Sequence, residues 1–244
     1  RIAEAIRHLD LERVRQEARA QAAEGAEVIA VQAHAQGIDQ VRVLPALVAA
    51  VSEAVPLPVC ILTENPLALA PALEACPGKP LVGSISGKAV ALNELLPLAS
   101  ARGAAVLATA LDDAGVTRFY DDRVDLMRNV LRAAILAGVP RHSIILNPAL
   151  EPLSADPIAA VIYLQAAAHL SRIEQLNVAV EPAAACGTAC DDGNGRLLLA
   201  LAVRGGVTCA LGDPALLCGS ARAIDLLLDR PGASERRSAL PARG

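Results

Sequence analysis

The chain has 244 residues, a formal net charge of -4 at pH 7 and a hydrophobic fraction of 54%. That length allows one large α/β domain with a substantial core. No apolar run approaches the ~18 residues that span a bilayer, because the run from Leu197 to Val203 stops at Arg204. With no basic stripe and 1% aromatic residues, the sequence also lacks the features that bind nucleic acid. We therefore expect a protein that binds neither membranes nor nucleic acid.

Cysteine usage points to a cellular compartment. The six cysteines lie mostly in apolar segments and are too sparse for a small disulfide-stapled scaffold. No signal-peptide pattern is present. The sequence therefore predicts free thiols in a reducing cytoplasm.

The chain is organised as a repeated unit, in which an apolar run ends in polar residues and a stretch of helical periodicity follows. A leading helix is predicted at 1–23, and Gly25 supplies its C-terminal stop. The predicted strands are 27–34, 59–62, 80–85, 104–110, 143–147, 176–181 and 207–211. The helices predicted after them are 40–54, 66–75, 89–102, 121–137, 157–170, 196–204 and 215–228.

This alternation predicts the fold. Strict strand–helix order at this spacing is typical of βα units with right-handed crossovers and a parallel sheet. A leading helix with no strand before it predicts a (β/α)8 TIM barrel that lacks its first strand in this chain. An open doubly wound sheet is the alternative, although no glycine-rich phosphate fingerprint follows the first strand. We expect a single domain over residues 1–228 and a polar, flexible tail over residues 229–244.

The stretch from Val55 to Ala75 shows the unit most clearly. Its strand ends in a polar tip that includes Glu64 and Asn65, and Pro66 opens the helix. Asn65 suits the N-cap position, and proline in the first helical position loses no hydrogen bond. In parallel α/β folds, however, ligands bind at the carboxyl ends of the strands. Asn65 is therefore predicted either as a helix cap or as a ligand contact.

The tip motifs carry a family resemblance. They are E-G-A-E-V-I-A-V-Q, L-P-V-C-I-L-T-E-N-P, L-V-G-S-I-S, A-V-L-A-T-A-L-D-D-A-G-V, I-I-L-N-P-A-L-E-P and G-G-V-T-C-A-L-G-D-P. In order and spacing the sequence resembles the pterin-binding barrels, above all the methyltetrahydrofolate:corrinoid protein methyltransferases, with dihydropteroate synthase more distant. The resemblance implies a folate-type pterin in the barrel mouth, a methyl group passed to cobalamin on a corrinoid protein, and a homodimer. It implies no metal bound directly.

The resemblance also implies which residues contact the pterin. Asn65 and Pro66 match the end of the family's D-S-T-N-P motif, and Asn147 stands where the family has the aspartate of D-P-L-x-x-P. The full set of implied pterin-binding residues is Asn65, Ser84, Asn147, Glu181, Arg196 and Asp213. No catalytic residue is assigned.

Two departures weaken the resemblance chemically. Ala30 and Leu62 stand where the family has aspartates that accept hydrogen bonds from the pterin. Each lost acceptor leaves a ligand donor unpaired, at about 1–3 kcal/mol. Glu64 or Glu181, displaced by one or two positions, could supply a substitute carboxylate. The alternative is a catalytically degenerate barrel that serves as a binding or assembly partner.

A few residues remain outside this scheme. Cys186 and Cys190 lie in a Gly/Asp-rich loop that is a metal site, a reactive thiol or a plain turn, and the CxxxC spacing is outside the usual zinc pairing. His34 follows a strand tip without a partner histidine. A third hypothesis is therefore a barrel enzyme with new chemistry based on Glu64, Glu181 or the Cys186 loop.

Overall fold

The structure is a computed structural model and describes residues 2–34, 37–116, 118–149, 151–152, 156, 158–186 and 192–228. Its strands are β1 (Ile29–Gln32), β2 (Val59–Leu62), β3 (Leu81–Ile85), β4 (Ala105–Thr109), β5 (Leu111–Asp112), β6 (Gly115–Val116), β7 (Ile144–Asn147), β8 (Asn177–Val180) and β9 (Cys209–Ala210). Seven of them form one sheet of order β1-β2-β3-β4-β7-β8-β9, and β5 and β6 form a separate antiparallel hairpin.

The helices alternate with the sheet strands. They are α1 (Ile2–His8), α2 (Leu11–Glu24), α3 (Gln40–Ala54), α4 (Pro66–Ala75), α5 (Leu96–Ala101), α6 (Tyr120–Leu136), α7 (Ala159–Ala168), α8 (Pro182–Cys186), α9 (Asp192–Gly205) and α10 (Pro214–Leu227). π-helical turns at Ala91–Leu95 and His169–Ile173 adjoin α5 and α7. None of the helices in the described part of the chain is both long and apolar enough to cross a membrane.

The sheet confirms the predicted TIM-barrel-like architecture. Every neighbouring pair within the seven-stranded sheet is parallel, and the strand order follows the chain order throughout. The sheet curls, but no ladder joins β1 to β9 within the described residues. The helices outside it do meet there, since α10 packs against α2 and the Cys218 thiol lies 3.3 Å from the Gly25 carbonyl oxygen. The barrel is therefore open between its first and last strands.

The core has two layers, because successive strand residues point to opposite faces of the sheet. The larger layer lies between the sheet and the surrounding helices and includes Ile61, Val106 and Leu146, each with no exposed surface. The smaller layer lies on the inner face of the curled sheet. It consists of Cys60, Leu107 and Ala179, packed with Leu62, Leu81, Ile145, Cys209 and Leu211. The inside of the barrel is thus filled with apolar side chains.

The leading helix differs from its prediction. It is split into α1 and α2, with Leu9 at φ 51° between them. Asp10 caps α2 by accepting a hydrogen bond from the Arg13 backbone nitrogen at 3.1 Å. An aspartate that can cap a helix favours the start of a new helix at this point over continuation of the preceding one. The predicted stop at Gly25 is confirmed, because Gly25 lies at φ 105° and caps α2.

Three other segments differ in detail. The predicted loop after β4 contains the β5–β6 hairpin. The helix predicted at 157–170 is α7 followed by the π-helical turn. Helix α9 begins at Asp192, four positions before the predicted start, which adds glycines and an asparagine to its first turns. The predicted tail at 229–244 lies outside the described residues.

Candidate functional site

The barrel mouth, defined as the carboxyl end of the seven-stranded sheet, contains several of the predicted site residues. The register places Gln32 beside Leu62 and Leu62 beside Gly83, and Thr109 beside Asn147. Because Ile145 belongs to the inner layer, Asn147, two residues later, also lies on the inner face. The same alternation takes the inner face from Ala179 in β8 to Glu181 just beyond it.

Asn147 is a buried amide with one half of its side chain unused. Its residue is 6% exposed, and its Oδ1 accepts a hydrogen bond from the Ala149 backbone nitrogen at 3.1 Å. Because only the oxygen of an amide can accept, that bond fixes which end of the side chain is Oδ1 and which is Nδ2. The Nδ2 atom has no hydrogen-bond partner within the described ranges. Nδ2 keeps some contact with solvent, because Ser52 Oγ is the one fully enclosed side-chain polar atom without a partner among the described residues. A bound ligand with an acceptor could therefore replace water at this donor.

Glu181 follows directly after β8, the strand that pairs with β7. Its carboxylate makes no hydrogen bond and no ion pair with any other described residue. Glu181 is exposed at the surface of the mouth, and the partial desolvation of its carboxylate by the surrounding protein raises its pKa. Glu181 and Asn147 together offer an acceptor and a donor on adjacent strands.

On the β2–β3 side of the mouth, the Glu64 carboxylate already forms an ion pair. Glu64 accepts from the Lys88 ammonium, whose Nζ lies 3.0 Å from each of the two carboxylate oxygens. A hydrogen bond from the Lys88 backbone nitrogen to Ser86 Oγ, at 3.4 Å, holds the base of that lysine. The sequence analysis did not identify Lys88. Its only signal was a lysine two residues after the predicted Ser86 tip.

Asn65 and Asp213 have structural roles as helix caps. Asn65 Oδ1 accepts from the Leu67 backbone nitrogen at 3.0 Å and caps α4. Asp213 does the same for α10, accepting from the Ala215 backbone nitrogen at 2.9 Å. The structure therefore supports the capping alternative for Asn65, and one oxygen of each side chain is already used.

Leu62 fills the inner face where the family resemblance implies an aspartate. A Cβ added to Gly83 would lie 2.8 Å from Leu62 Cδ2 and 3.2 Å from Leu107 Cδ2. These two leucines therefore cover Gly83 from both neighbouring strands. At the level of Gly83, the side chains of β2 and β4 that face the barrel axis are therefore both leucines.

The remaining predicted residues are more scattered. Ser84 lies within β3, but its side chain is not among the described ones. Arg196 is exposed on α9, and His34 is exposed beyond the end of β1. Cys186 ends α8, whereas Cys190 lies outside the described residues. No three His, Cys, Asp or Glu side chains of the described residues group closely enough to hold a metal ion.

Arg123 is a residue that the sequence analysis missed. It lies in the second turn of α6 and is 1% exposed, and its Nη1 donates to the Ala149 carbonyl oxygen at 2.9 Å. Burial lowers the pKa of Arg123, while the negative charges of Glu151 and Asp156 act in the opposite direction. No sequence signal separates this arginine from the exposed charges around it, because charged residues on a helix usually face solvent.

Comparisons with known proteins agree with this architecture. Residues 1–185, more than half of the chain, match the family model described as "Pterin binding enzyme". The fold resembles that of dihydropteroate synthase from Clostridium difficile, solved in the presence of pteroic acid, with a TM-score of 0.70 and 15% identity over 89% of this chain and 88% of that one. It also resembles the Yersinia pestis enzyme, solved with a pterine-sulfa conjugate, with a TM-score of 0.69 and 14% identity over 90% of each chain. At these identities the structural likeness shows a shared fold, whereas the family match assigns the chain. The protein belongs to the pterin-binding enzyme family.

Proposed function

We propose that this chain binds a folate-type pterin in the barrel mouth, through Asn147 and Glu181. The observation that carries the proposal is the Nδ2 of Asn147, a donor on the inner face of the sheet that has no hydrogen-bond partner among the described residues. Of the two similar solved structures, one was determined in the presence of pteroic acid and the other with a pterine-sulfa conjugate, which supports a ligand of this class.

The chemistry of the two side chains is complementary to that of a pterin. The amino-pyrimidinone edge presents N–H donors, and the Glu181 carboxylate would accept them through charge-assisted hydrogen bonds. The Asn147 amine would donate to a ring nitrogen or to the oxo group. Each side chain has the required group available, so the residues present fit the ligand without rearrangement of the caps or of the Glu64–Lys88 pair.

The proposed activity is transfer of a methyl group from methyltetrahydrofolate, or a related pterin, to cobalamin carried by a corrinoid protein in the cytoplasm. This choice follows the resemblance of the tip motifs to the corrinoid methyltransferases. The chain's own residues would bind and orient the pterin. The apolar inner layer of Cys60, Leu107 and Ala179 would exclude water beneath it.

A second candidate is a catalytically degenerate barrel that acts as a binding or assembly partner. The observation that favours it is Leu62, which covers Gly83 in the mouth where a pterin-binding aspartate is implied. Pairing of Glu64 with Lys88 removes one possible substitute for that aspartate. Glu181, whose carboxylate has no partner among the described residues, then remains as the substitute.

Calorimetric titration with methyltetrahydrofolate tests the proposal. We expect micromolar binding to the native chain, with Asn147→Ala and Glu181→Gln each weakening it about tenfold, the equivalent of one lost hydrogen bond to a ligand. Glu64→Gln is the matched control, because Glu64 is a glutamate at the same mouth whose charge is already paired. Absence of heat up to millimolar ligand, with a folded chain by circular dichroism, would exclude pterin binding.

The methyl-transfer step needs its own assay. Reduced cob(I)alamin added to the chain with methyltetrahydrofolate should lose its absorbance as it is methylated. Binding without any such loss, also when a corrinoid protein is supplied, would favour the degenerate barrel. Binding with methylation would favour the enzyme.

We also propose that the chain forms a homodimer through α7 and α9. These helices pack together and expose Val161, Leu197 and Leu201, with 54%, 60% and 47% of their surfaces accessible. Exposed apolar residues on neighbouring helices are typical of an interface.

Leu197→Glu should convert a dimer to a monomer in analytical ultracentrifugation. Leu67→Glu, at a leucine on α4 that is 73% exposed, should leave the dimer intact, and a monomeric native chain would refute the proposal.

A further inference from the structure

Ala149 occupies a strained position directly after Asn147 and Pro148. Its φ of 56° places it in the left-handed region, which costs energy for any residue with a Cβ. Such conformations persist when surrounding contacts fix them, and they cluster at functional sites. Ala149 is also 8% exposed, so solvent does not satisfy its backbone.

Contacts on both sides of this residue fix its conformation. Its backbone nitrogen donates to Asn147 Oδ1 at 3.1 Å, and its carbonyl oxygen accepts from Arg123 Nη1 at 2.9 Å. Arg123 lies on α6, so the second contact ties the segment after β7 to a separate helix. The Arg123 guanidinium is therefore joined to the Asn147 amide through a single residue.

Burial of the Arg123 guanidinium costs free energy unless its charge is paired and hydrogen-bonded. A guanidinium that is 1% exposed has lost nearly all contact with water. Glu151 and Asp156, from the same segment that follows β7, offset the charge. Arginine suits this role because its planar fork can hold several acceptors in a fixed geometry.

We propose that Arg123 is a positioning residue for the pterin site. It holds Ala149 in the left-handed conformation, the Ala149 nitrogen then holds Asn147 Oδ1, and Asn147 Nδ2 is left as the donor to the ligand. Arg123 itself does not touch the ligand. The ligand-binding part of this inference rests on the function proposed above, whereas the positioning part does not.

The first experiment needs no ligand. Amide hydrogen exchange of Ala149, followed by NMR on the ligand-free chain, should become about tenfold faster in Arg123→Met, because the hydrogen bond to Asn147 is formed less of the time. Arg128→Met is the matched control on the same helix, since Arg128 contacts Glu174 and His169 instead. Exchange at Ala149 should stay at the native rate in that variant. Unchanged exchange in Arg123→Met would overturn the proposal.

The second experiment is a double-mutant cycle with methyltetrahydrofolate. Arg123→Met should weaken binding about tenfold in the native background and have no further effect in the Asn147→Ala background. Independent effects that multiply in the double variant would contradict an action through Asn147. Arg123→Lys keeps the charge and one donor, should retain part of the affinity, and replaces Arg123→Met if that variant does not fold.

The two experiments separate the two proposals. Faster exchange at Ala149 without any binding of methyltetrahydrofolate to the native chain would support the positioning role and reject the pterin site. Native-like exchange at Ala149 in Arg123→Met, together with pterin binding to the native chain, would support the pterin site and reject the positioning role of Arg123.

Discussion

The two sides of the barrel mouth use their polar residues differently. On the β2–β3 side, Asn65 caps a helix, Glu64 is paired with Lys88, and Leu62 covers Gly83. On the β7–β8 side, Asn147 keeps an unpartnered donor and Glu181 keeps an unpaired carboxylate within the described residues. The motif on the first side is the one that resembles the family more closely, yet the fold already uses the Asn65 side-chain oxygen and the Glu64 carboxylate.

This difference shows that a matching motif and an available group are separate properties. Asn65 and Pro66 are explained by capping and helix initiation alone. Asn147 and Glu181 differ from the family's residues in type or position, but the Asn147 Nδ2 donor and the Glu181 carboxylate have no partner among the described residues. Availability of the donor or acceptor is therefore the better guide to the candidate site in this protein.

The most disruptive change expected is Leu62→Asp, which introduces the family's residue on the apolar side. The new carboxylate would lie beside Gly83 at a partly buried position among apolar side chains, so we expect the free energy of unfolding to fall by about 2 kcal/mol. Chemical denaturation measures this change. Leu67→Asp, at an exposed position in the first turn of α4, should be almost neutral because a negative charge there is favourable. A Leu62→Asp chain of native stability would show that this side is not closely packed.

The pH dependence of pterin binding should report Glu181. The ionised carboxylate is the form that accepts hydrogen bonds, so affinity should fall as the pH drops through the Glu181 pKa. Since partial desolvation raises that pKa, the loss should begin at a higher pH than for an ordinary glutamate, and should reach about tenfold. Titrations at several pH values measure it. A native-like pH profile in Glu181→Gln would assign the dependence to another group.

The same pKa shift has a consequence for stability. A raised pKa means that the folded state prefers the protonated carboxyl, so this contribution to stability is complete at low pH and is lost as the pH rises through the raised pKa. Glu181→Gln should therefore make the ligand-free chain slightly more stable than the native chain at neutral pH. At a pH below the unfolded-state pKa of glutamate, the difference between the two chains should disappear.

Removal of the N-cap side chains of α4 and α10 should lower stability by a smaller amount and leave pterin binding unchanged. Asn65→Ala and Asp213→Ala should each lower the free energy of unfolding by about 1 kcal/mol, because each removes an N-cap hydrogen bond. Thermal and chemical denaturation measure the change. Pterin affinity should be unaltered in both variants. A tenfold loss of affinity in Asn65→Ala would show that this side of the mouth also contacts the ligand.

The smallest effect is expected for the exposed ion pair. Glu64→Gln removes the charge that faces Lys88, and the Glu64 side chain is 57% exposed. Pairs of this kind contribute about 0–1 kcal/mol, so the stability should change by less than that and the change should shrink further in high salt. A larger, salt-independent loss would indicate that the pair is part of a buried network.

Interactions between residues close together in the sequence determined the strands and several helix ends of this protein. Seven apolar runs separated by helical periodicity predicted seven parallel strands, and each run contains one of the observed strands. Gly25 and Asn65 end and begin helices as predicted, since capping depends on a few adjacent atoms. The tip motifs also indicated the family, because they lie at one end of every strand in a parallel barrel.

Only the tertiary structure decided which polar residues are available. The Glu64–Lys88 pair joins residues 24 positions apart, and the Arg123–Ala149 hydrogen bond joins residues 26 positions apart. Neither contact has a local sequence pattern, because both depend on how separate βα units pack around the barrel. The sequence thus determined where polar side chains would gather, whereas packing between the units decided which of them remain unpaired for a ligand.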